Sequence, residues 1–104
     1  MNAAATVVIE YRAQAGKGAL AHAMLADLIA TVVAEEKDCL GITLLEDAED
    51  DTHFMLYEQW TSKEAYTGPH METQHILAFI ERASSLFQGP PKRAFYVQLE
   101  HAKR

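Results

Sequence analysis

The sequence predicts an α+β fold, a four-stranded antiparallel sheet with helices on one face, on three observations. Strand-like and helix-like periodicities alternate in the order βαββαβ along its 104 residues. A short acidic turn joins the two middle strands, as suits an antiparallel hairpin. Right-handed crossovers then fold that order into one sheet.

Residues 6–12 are β-branched and aromatic, with Val7, Ile9 and Tyr11 on one face and Val8, Glu10 and Arg12 on the other. They predict the first strand. After Gly16-Lys17-Gly18, Leu20, Met24, Leu28 and Val32 recur at helical spacing, Leu25, Ile29 and Val33 widen the stripe, and Glu35-Glu36-Lys37-Asp38 ends it. Residues 42–46 and 52–60 predict the two hairpin strands. In the second of these, Phe54, Leu56, Glu58 and Trp60 share one face, while His53, Met55, Tyr57 and Gln59 share the other. Thr61-Ser62-Lys63-Glu64 fits a capping box in which Thr61 and Glu64 satisfy each other's backbone N–H groups, so a short helix is expected there. Gly68-Pro69 interrupts it. A second helix resumes near His70, with Ile76, Phe79, Ile80, Ala83, Leu86 and Phe87 as its stripe, and Gly89-Pro90-Pro91 stops it. Residues 93–100 predict the last strand, with Phe95, Val97 and Leu99 opposite Tyr96, Gln98 and Glu100. The arrangement is ferredoxin-like.

Composition narrows the function classes. A chain of 11.6 kDa with 49% apolar residues suits one domain spanning 1–104, with 1–5 and 101–104 expected as flexible ends. Surface scaling predicts a folded area of about 5,800 Å², burying about two-thirds of the unfolded surface. This is too small for an enzyme with its own nucleotide-binding domain. The single cysteine, Cys39, excludes a disulfide framework and a multi-cysteine zinc site, and points to the cytoplasm. Most of the net charge of −6 sits in residues 46–51, which hold five acids and no base. No basic stripe interleaved with aromatics exists to follow a phosphate backbone, so nucleic acid is not an expected partner. The opening Met1-Asn2-Ala3-Ala4-Ala5 lacks a basic leader and the apolar runs are short, so no membrane association is expected.

The helices cover only one sheet face, yet Val8, Met55, Tyr57 and Tyr96 lie on the other. A second copy of the chain is the simplest cover, which predicts a homodimer packed sheet to sheet.

The residues with chemistry cluster between Tyr57 and His75. Trp60 at a strand end is either a core residue or a site residue. Glu58 beside it must find a donor or line a solvated pocket, because an unpaired buried carboxylate is costly. His70 follows Gly68-Pro69 at a helix start, where the dipole favours the neutral ring and suits it to act as a base. His75 lies five residues on, about 140° around an ideal helix, so a two-histidine metal site is not expected and no metal is assigned. Cys39 reads as a small buried residue. Leu56, Phe54 and Phe79 are expected to shape any pocket there.

The segment Phe54-Met55-Leu56-Tyr57-Glu58-Gln59-Trp60-Thr61-Ser62-Lys63-Glu64-Ala65, followed by His70, Thr73 and His75, resembles the antibiotic biosynthesis monooxygenase family. The resemblance implies a ferredoxin-like homodimer with a pocket between sheet and helices in each protomer. In cofactor-free quinol-oxidising members a Trp and a Tyr six residues later line the site, as Trp60 and Tyr66 are spaced here. In haem-degrading members a Trp is followed ten residues later by the iron-binding His, as Trp60 and His70 are. Both groups also use an Asn; at the corresponding positions this chain has Leu56 and Tyr11.

On that resemblance the chain is expected to oxidise a quinol or dihydroxy-aromatic with O2, without a cofactor. His70 would accept the phenol proton, Tyr66 would hydrogen-bond the developing oxyanion and Trp60 would stack on the ring, with Glu58 and His75 as supporting groups or alternative bases. Two other readings stand beside it: a small-molecule binding or signalling module, and haem degradation.

Overall fold

The structure is a computed structural model and describes residues 4–104. It contains β1 (Ala5–Arg12), α1 (Gly18–Glu35), β2 (Cys39–Asp47), β3 (Asp50–Trp60), α2 (Lys63–Thr67), a 3-10 turn (Pro69–Glu72), α3 (Gln74–Ala83) and β4 (Lys92–Tyr96). The strands form one sheet in the order β2-β3-β1-β4, every neighbour antiparallel. This is the ferredoxin-like topology expected from the alternation. Of the expected flexible ends, residues 1–3 lie outside the described residues. Ala5 belongs to β1, where it is buried opposite Trp60, while 101–104 are exposed and without regular structure.

Register converts the alternation of each strand into rows of side chains across the sheet. On the face toward the helices, Ile42, Glu58, Val7 and Phe95 form one row and Leu44, Leu56, Ile9 and Arg93 the next. A third row is Glu46, Phe54 and Tyr11. In the middle of this face Val7, Ile9, Phe54, Leu56 and Trp60 are all buried. Ala21, Met24, Leu25 and Val32 of α1 pack onto it, whereas Leu20 and Val33, at the ends of the expected stripe, are exposed. By length and composition alone α1 is long and apolar enough to cross a membrane, which the short apolar runs of the sequence did not suggest. Its buried residues, Ala21, Met24, Leu25 and Val32, form the face that packs on the sheet.

Three local expectations are corrected. The cap of α2 is Ser62, whose Oγ accepts from the Ala65 N–H at 3.1 Å; Thr61 instead donates to Asp38 Oδ1 at 2.8 Å, so the capping box starts one residue late and lacks its glutamate. The helix expected near His70 begins only at Gln74, capped by Thr73, because Pro69 starts a separate 3-10 turn that carries His70. Leu86 and Phe87 fall beyond that helix, and Phe87 bridges to Ala13 at the end of β1. Last, β4 stops at Tyr96, leaving Val97 and Leu99 exposed.

The first turn of α1 presses on the β2–β3 hairpin at Gly18. A Cβ there would collide with the backbone carbonyl oxygen of Asp51. Gly18→Ala is therefore expected to destabilise the protein by about 1–3 kcal/mol, as overpacking does, despite alanine's better helix propensity. Urea unfolding measures this, and an equal or higher midpoint would contradict the packing described.

Candidate active site

Between the inner sheet face and α1, α3 and the 89–91 turn lies a cavity of about 510 Å³. Aliphatic and aromatic side chains make most of its wall, among them Ile9, Leu28, Leu56, Met71 and Phe79. Into this apolar space the fold brings Tyr11, Glu58, Tyr66, His70 and Arg93. Each arrives by a local rule. Alternation along β3 turns Glu58 inward between Leu56 and Trp60, alternation along β1 does the same for Tyr11, and on β4 Arg93 stands in register with Ile9. Tyr66 comes from α2 and His70 from the 3-10 turn.

Glu58 is buried, and Oε1 accepts from Trp60 Nε1–H at 2.8 Å. Burial pushes its pKa up to about 7, against the opposing pull of that hydrogen bond and of the Arg93 charge. Glu58 thus holds or releases a proton near neutrality. His70 is 3% exposed, its ring centre 4.5 Å from Trp60 and 4.8 Å from Tyr66. Its Nδ1 lies 2.9 Å from both carboxylate oxygens of Glu36, and Glu36 Oε2 is also 2.6 Å from His75 Nε2. Burial lowers the His70 pKa, with Glu36 opposing it, so the ring is neutral at neutral pH. The sequence led to the same neutral state through a helix dipole, but a four-residue 3-10 turn supplies little of one. Desolvation is the physical cause.

Burial also raises both tyrosines, Tyr66 to about 12 and Tyr11 further, so each keeps its hydroxyl proton and can donate. The Arg93 guanidinium, 5.8 Å from the centre of the Tyr66 ring, pulls in the other direction. Among the described residues, His70 Nε2 and Glu58 Oε2 have no protein hydrogen-bond partner, and no buried polar side-chain atom is orphaned. Cys39 is buried, as the sequence suggested, and burial pushes its thiol up to about 11.

A profile of the family described as Antibiotic biosynthesis monooxygenase matches residues 4–82. The chain belongs to this family. No curated protein sequence matches it. Among solved structures it is similar to PA3566 from Pseudomonas aeruginosa, at 27% identity over 96% of this chain and 98% of that one, with a TM-score of 0.85. Rv0793 from Mycobacterium tuberculosis follows at 20% identity, 97% and 100% coverage and a TM-score of 0.82. A mutant of SnoaB, a cofactor-independent oxygenase from Streptomyces nogalater, shares 16% identity over 97% of this chain and 98% of that one, with a TM-score of 0.81. The last two likenesses are likenesses of fold.

In this antibiotic biosynthesis monooxygenase domain, five of the residues singled out from sequence line one cavity: His70, Tyr66, Glu58, Leu56 and Phe79. Three do not. Trp60, 1% exposed, lies behind the wall, edge-to-face with Tyr66 and tilted against His70, so its ring is not free to stack on a ligand. Phe54 is sealed in the core beside His22 of α1. His75 stands on the far side of Glu36. The two histidines do converge, against the helical-wheel argument, because they belong to different elements and meet at a carboxylate. Among the described residues, no group of three His, Cys, Asp or Glu side chains is disposed to hold a metal ion.

Three residues escaped the sequence reading. Arg93 shares the inward face of β4 with Phe95, so alternation alone could have marked it. Tyr11 was placed on the inward face, at a position where relatives use an Asn, but was given no role. Glu36 was one of the four charged residues that end the α1 stripe, and no local pattern distinguishes it from Glu35.

Proposed function

We propose that this domain is a cofactor-independent oxygenase that adds one atom of O2 to a quinol-like or dihydroxy-aromatic substrate held in the cavity. The observation that carries the reading is the convergence of Glu58, Tyr66, His70 and Arg93 on a largely apolar space. A planar apolar ring fits such walls, and the polar groups match its hydroxyls.

In this scheme His70 Nε2 takes a phenolic proton. The phenolate gives one electron to O2, and the resulting superoxide and substrate radical combine at a ring carbon. Cleavage of the O–O bond leaves one oxygen on the ring and releases the other in water, so the dihydroxy-aromatic becomes a hydroxyquinone and supplies all four electrons. The protein contributes the base, a dry site and donors to the developing negative charge, namely Tyr66, Tyr11 and Arg93. Trp60, held to Glu58 and against His70, acts through those neighbours. A panel of dihydroxy-aromatics tests this by oxygen uptake. The binding-module alternative gives ligand-dependent thermal stabilisation with no uptake, and the haem alternative gives a Soret band on titration with hemin that disappears in His70→Ala.

The reading includes a homodimer acting in the cytoplasm. The chain exposes 7037 Å², where about 5,800 Å² is expected for its mass. Leu45, Tyr57 and Tyr96 are exposed on the sheet face away from the helices. Light scattering at micromolar concentration is expected to give twice the chain mass, and Tyr57→Lys to shift the equilibrium toward monomer. A monomeric wild type would remove this part of the proposal.

A further inference from the structure

We infer that Glu36 is a positioning residue for His70, fixing the imidazole tautomer that carries its proton on Nδ1 and leaves the Nε2 lone pair free, and that His75 holds Glu36 in place. The catalytic consequence rests on the oxygenase reading; the tautomer does not. The arrangement has a sense of direction. Glu36 accepts at both oxygens from the His70 Nδ1–H, 2.9 Å away, and at Oε2 from the His75 Nε2–H, 2.6 Å away. Side-chain exposure rises outward along the chain of contacts, 4% for His70, 12% for Glu36 and 17% for His75.

A purely mechanical clamp between the end of α1 and the start of α3 does not need a carboxylate here. Glu36 caps the C-terminus of an 18-residue helix, the end at which the macrodipole disfavours negative charge. What a carboxylate adds is a strong acceptor for Nδ1–H. An imidazole whose Nδ1 proton is pinned must present Nε2 as its acceptor. When that atom takes a proton, the ring becomes a cation in a buried setting, and the adjoining carboxylate offsets its charge. The buried acid of a serine-protease triad divides its labour with histidine in the same way.

The charged and titratable groups facing His70 come from five other elements. Arg93 of β4 and His75 of α3 oppose the imidazolium, Glu36 at the end of α1 favours it, and Glu58 of β3 and Tyr66 of α2 complete the surroundings. Only Glu36 among them touches a nitrogen of the ring. His75, bonded to the same carboxylate, restricts its rotation.

Nitrogen-15 NMR of the labelled protein above pH 7 tests this without any substrate. Wild-type His70 is expected as the Nδ1–H tautomer. Glu36→Ala shifts it toward the Nε2–H form that isolated histidine favours, His75→Ala does so in smaller degree, and His75→Gln, which can donate to the same oxygen, restores the wild-type signal. Where Glu36→Ala fails to fold, Glu36→Gln takes its place, with mixed tautomers expected. An Nε2–H tautomer in the wild type, or an unchanged one in the folded Glu36 variant, overturns the inference. With a substrate in hand, Glu36→Gln is expected to lower kcat by about a hundredfold or more with little change in KM. An unaltered kcat also overturns the inference. A protein that turns over nothing but shows the tautomer shifts refutes the oxygenase reading alone.

Discussion

Replacing His70 by alanine is expected to lower the proposed oxygen-dependent turnover of a dihydroxy-aromatic by about 10² to 10⁴-fold, the range over which a positioned general base acts. The expectation follows from geometry. His70 is a cavity-lining imidazole with one nitrogen engaged by Glu36 and the other without a protein partner. The loss is expected in kcat, since the apolar walls that bind the ring of a substrate are untouched. His70→Gln, which keeps more of the volume packed between Trp60 and Tyr66, controls for collapse of the site. The pH dependence has a definite sign. Burial depresses the His70 pKa, so the ring is already neutral at and above its ordinary value near 6.5 and becomes protonated only below it. The acid limb of kcat/KM therefore falls below pH 6.5 and is absent from His70→Ala. A variant with wild-type kcat across that range would show that another group takes the proton.

At alkaline pH, Glu58→Gln is expected to be more stable than the wild type by about 3 kcal/mol, and near pH 4.5 to differ from it little. Folding raises the Glu58 pKa from 4.5 to about 7. Between those values the folded chain keeps a proton that the unfolded chain has lost, so wild-type stability is fully present below 4.5 and falls as pH rises through 7. At about 1.4 kcal/mol per pKa unit, the shift gives a difference of roughly 3 kcal/mol. Glutamine is close in shape and its Oε1 can still accept from Trp60 Nε1–H. Denaturant unfolding of both proteins at pH 4.5 and pH 8.5 measures the effect. A difference independent of pH would mean that folding leaves the Glu58 pKa at its ordinary value.

Most of the fold was legible because period-two and helical patterns are strong where one face is buried. The inward faces of β1 and β3 follow directly from Val7, Ile9 and Tyr11 and from Phe54, Leu56, Glu58 and Trp60. The errors lie where short-range chemistry decides. Thr61 and Ser62 are both good caps, and only the hydrogen bond from Thr61 to Asp38 frees Ser62 to serve. Pro69 marked an interruption, but nothing local announced that Thr73 would restart the helix. The site was half legible. Glu58, Tyr66 and His70 lie in one stretch of sequence and stood out by type. Glu36 and Arg93 come from the far end of α1 and from β4, the latter beyond the residues 4–82 that match the family. Trp60 shows the reverse limit: strand alternation marks the inward face without distinguishing cavity wall from the layer behind it.

The central claim is that the cavity oxidises a dihydroxy-aromatic with O2 using the protein's own side chains. The most direct measurement is mass spectrometry of the product formed under isotopically labelled oxygen gas, with wild type and His70→Ala run side by side. The prediction is one labelled atom per product molecule, one O2 consumed per turnover, and formation slowed by at least about a hundredfold in the variant. Product without label, or equal rates in the two proteins, would contradict it.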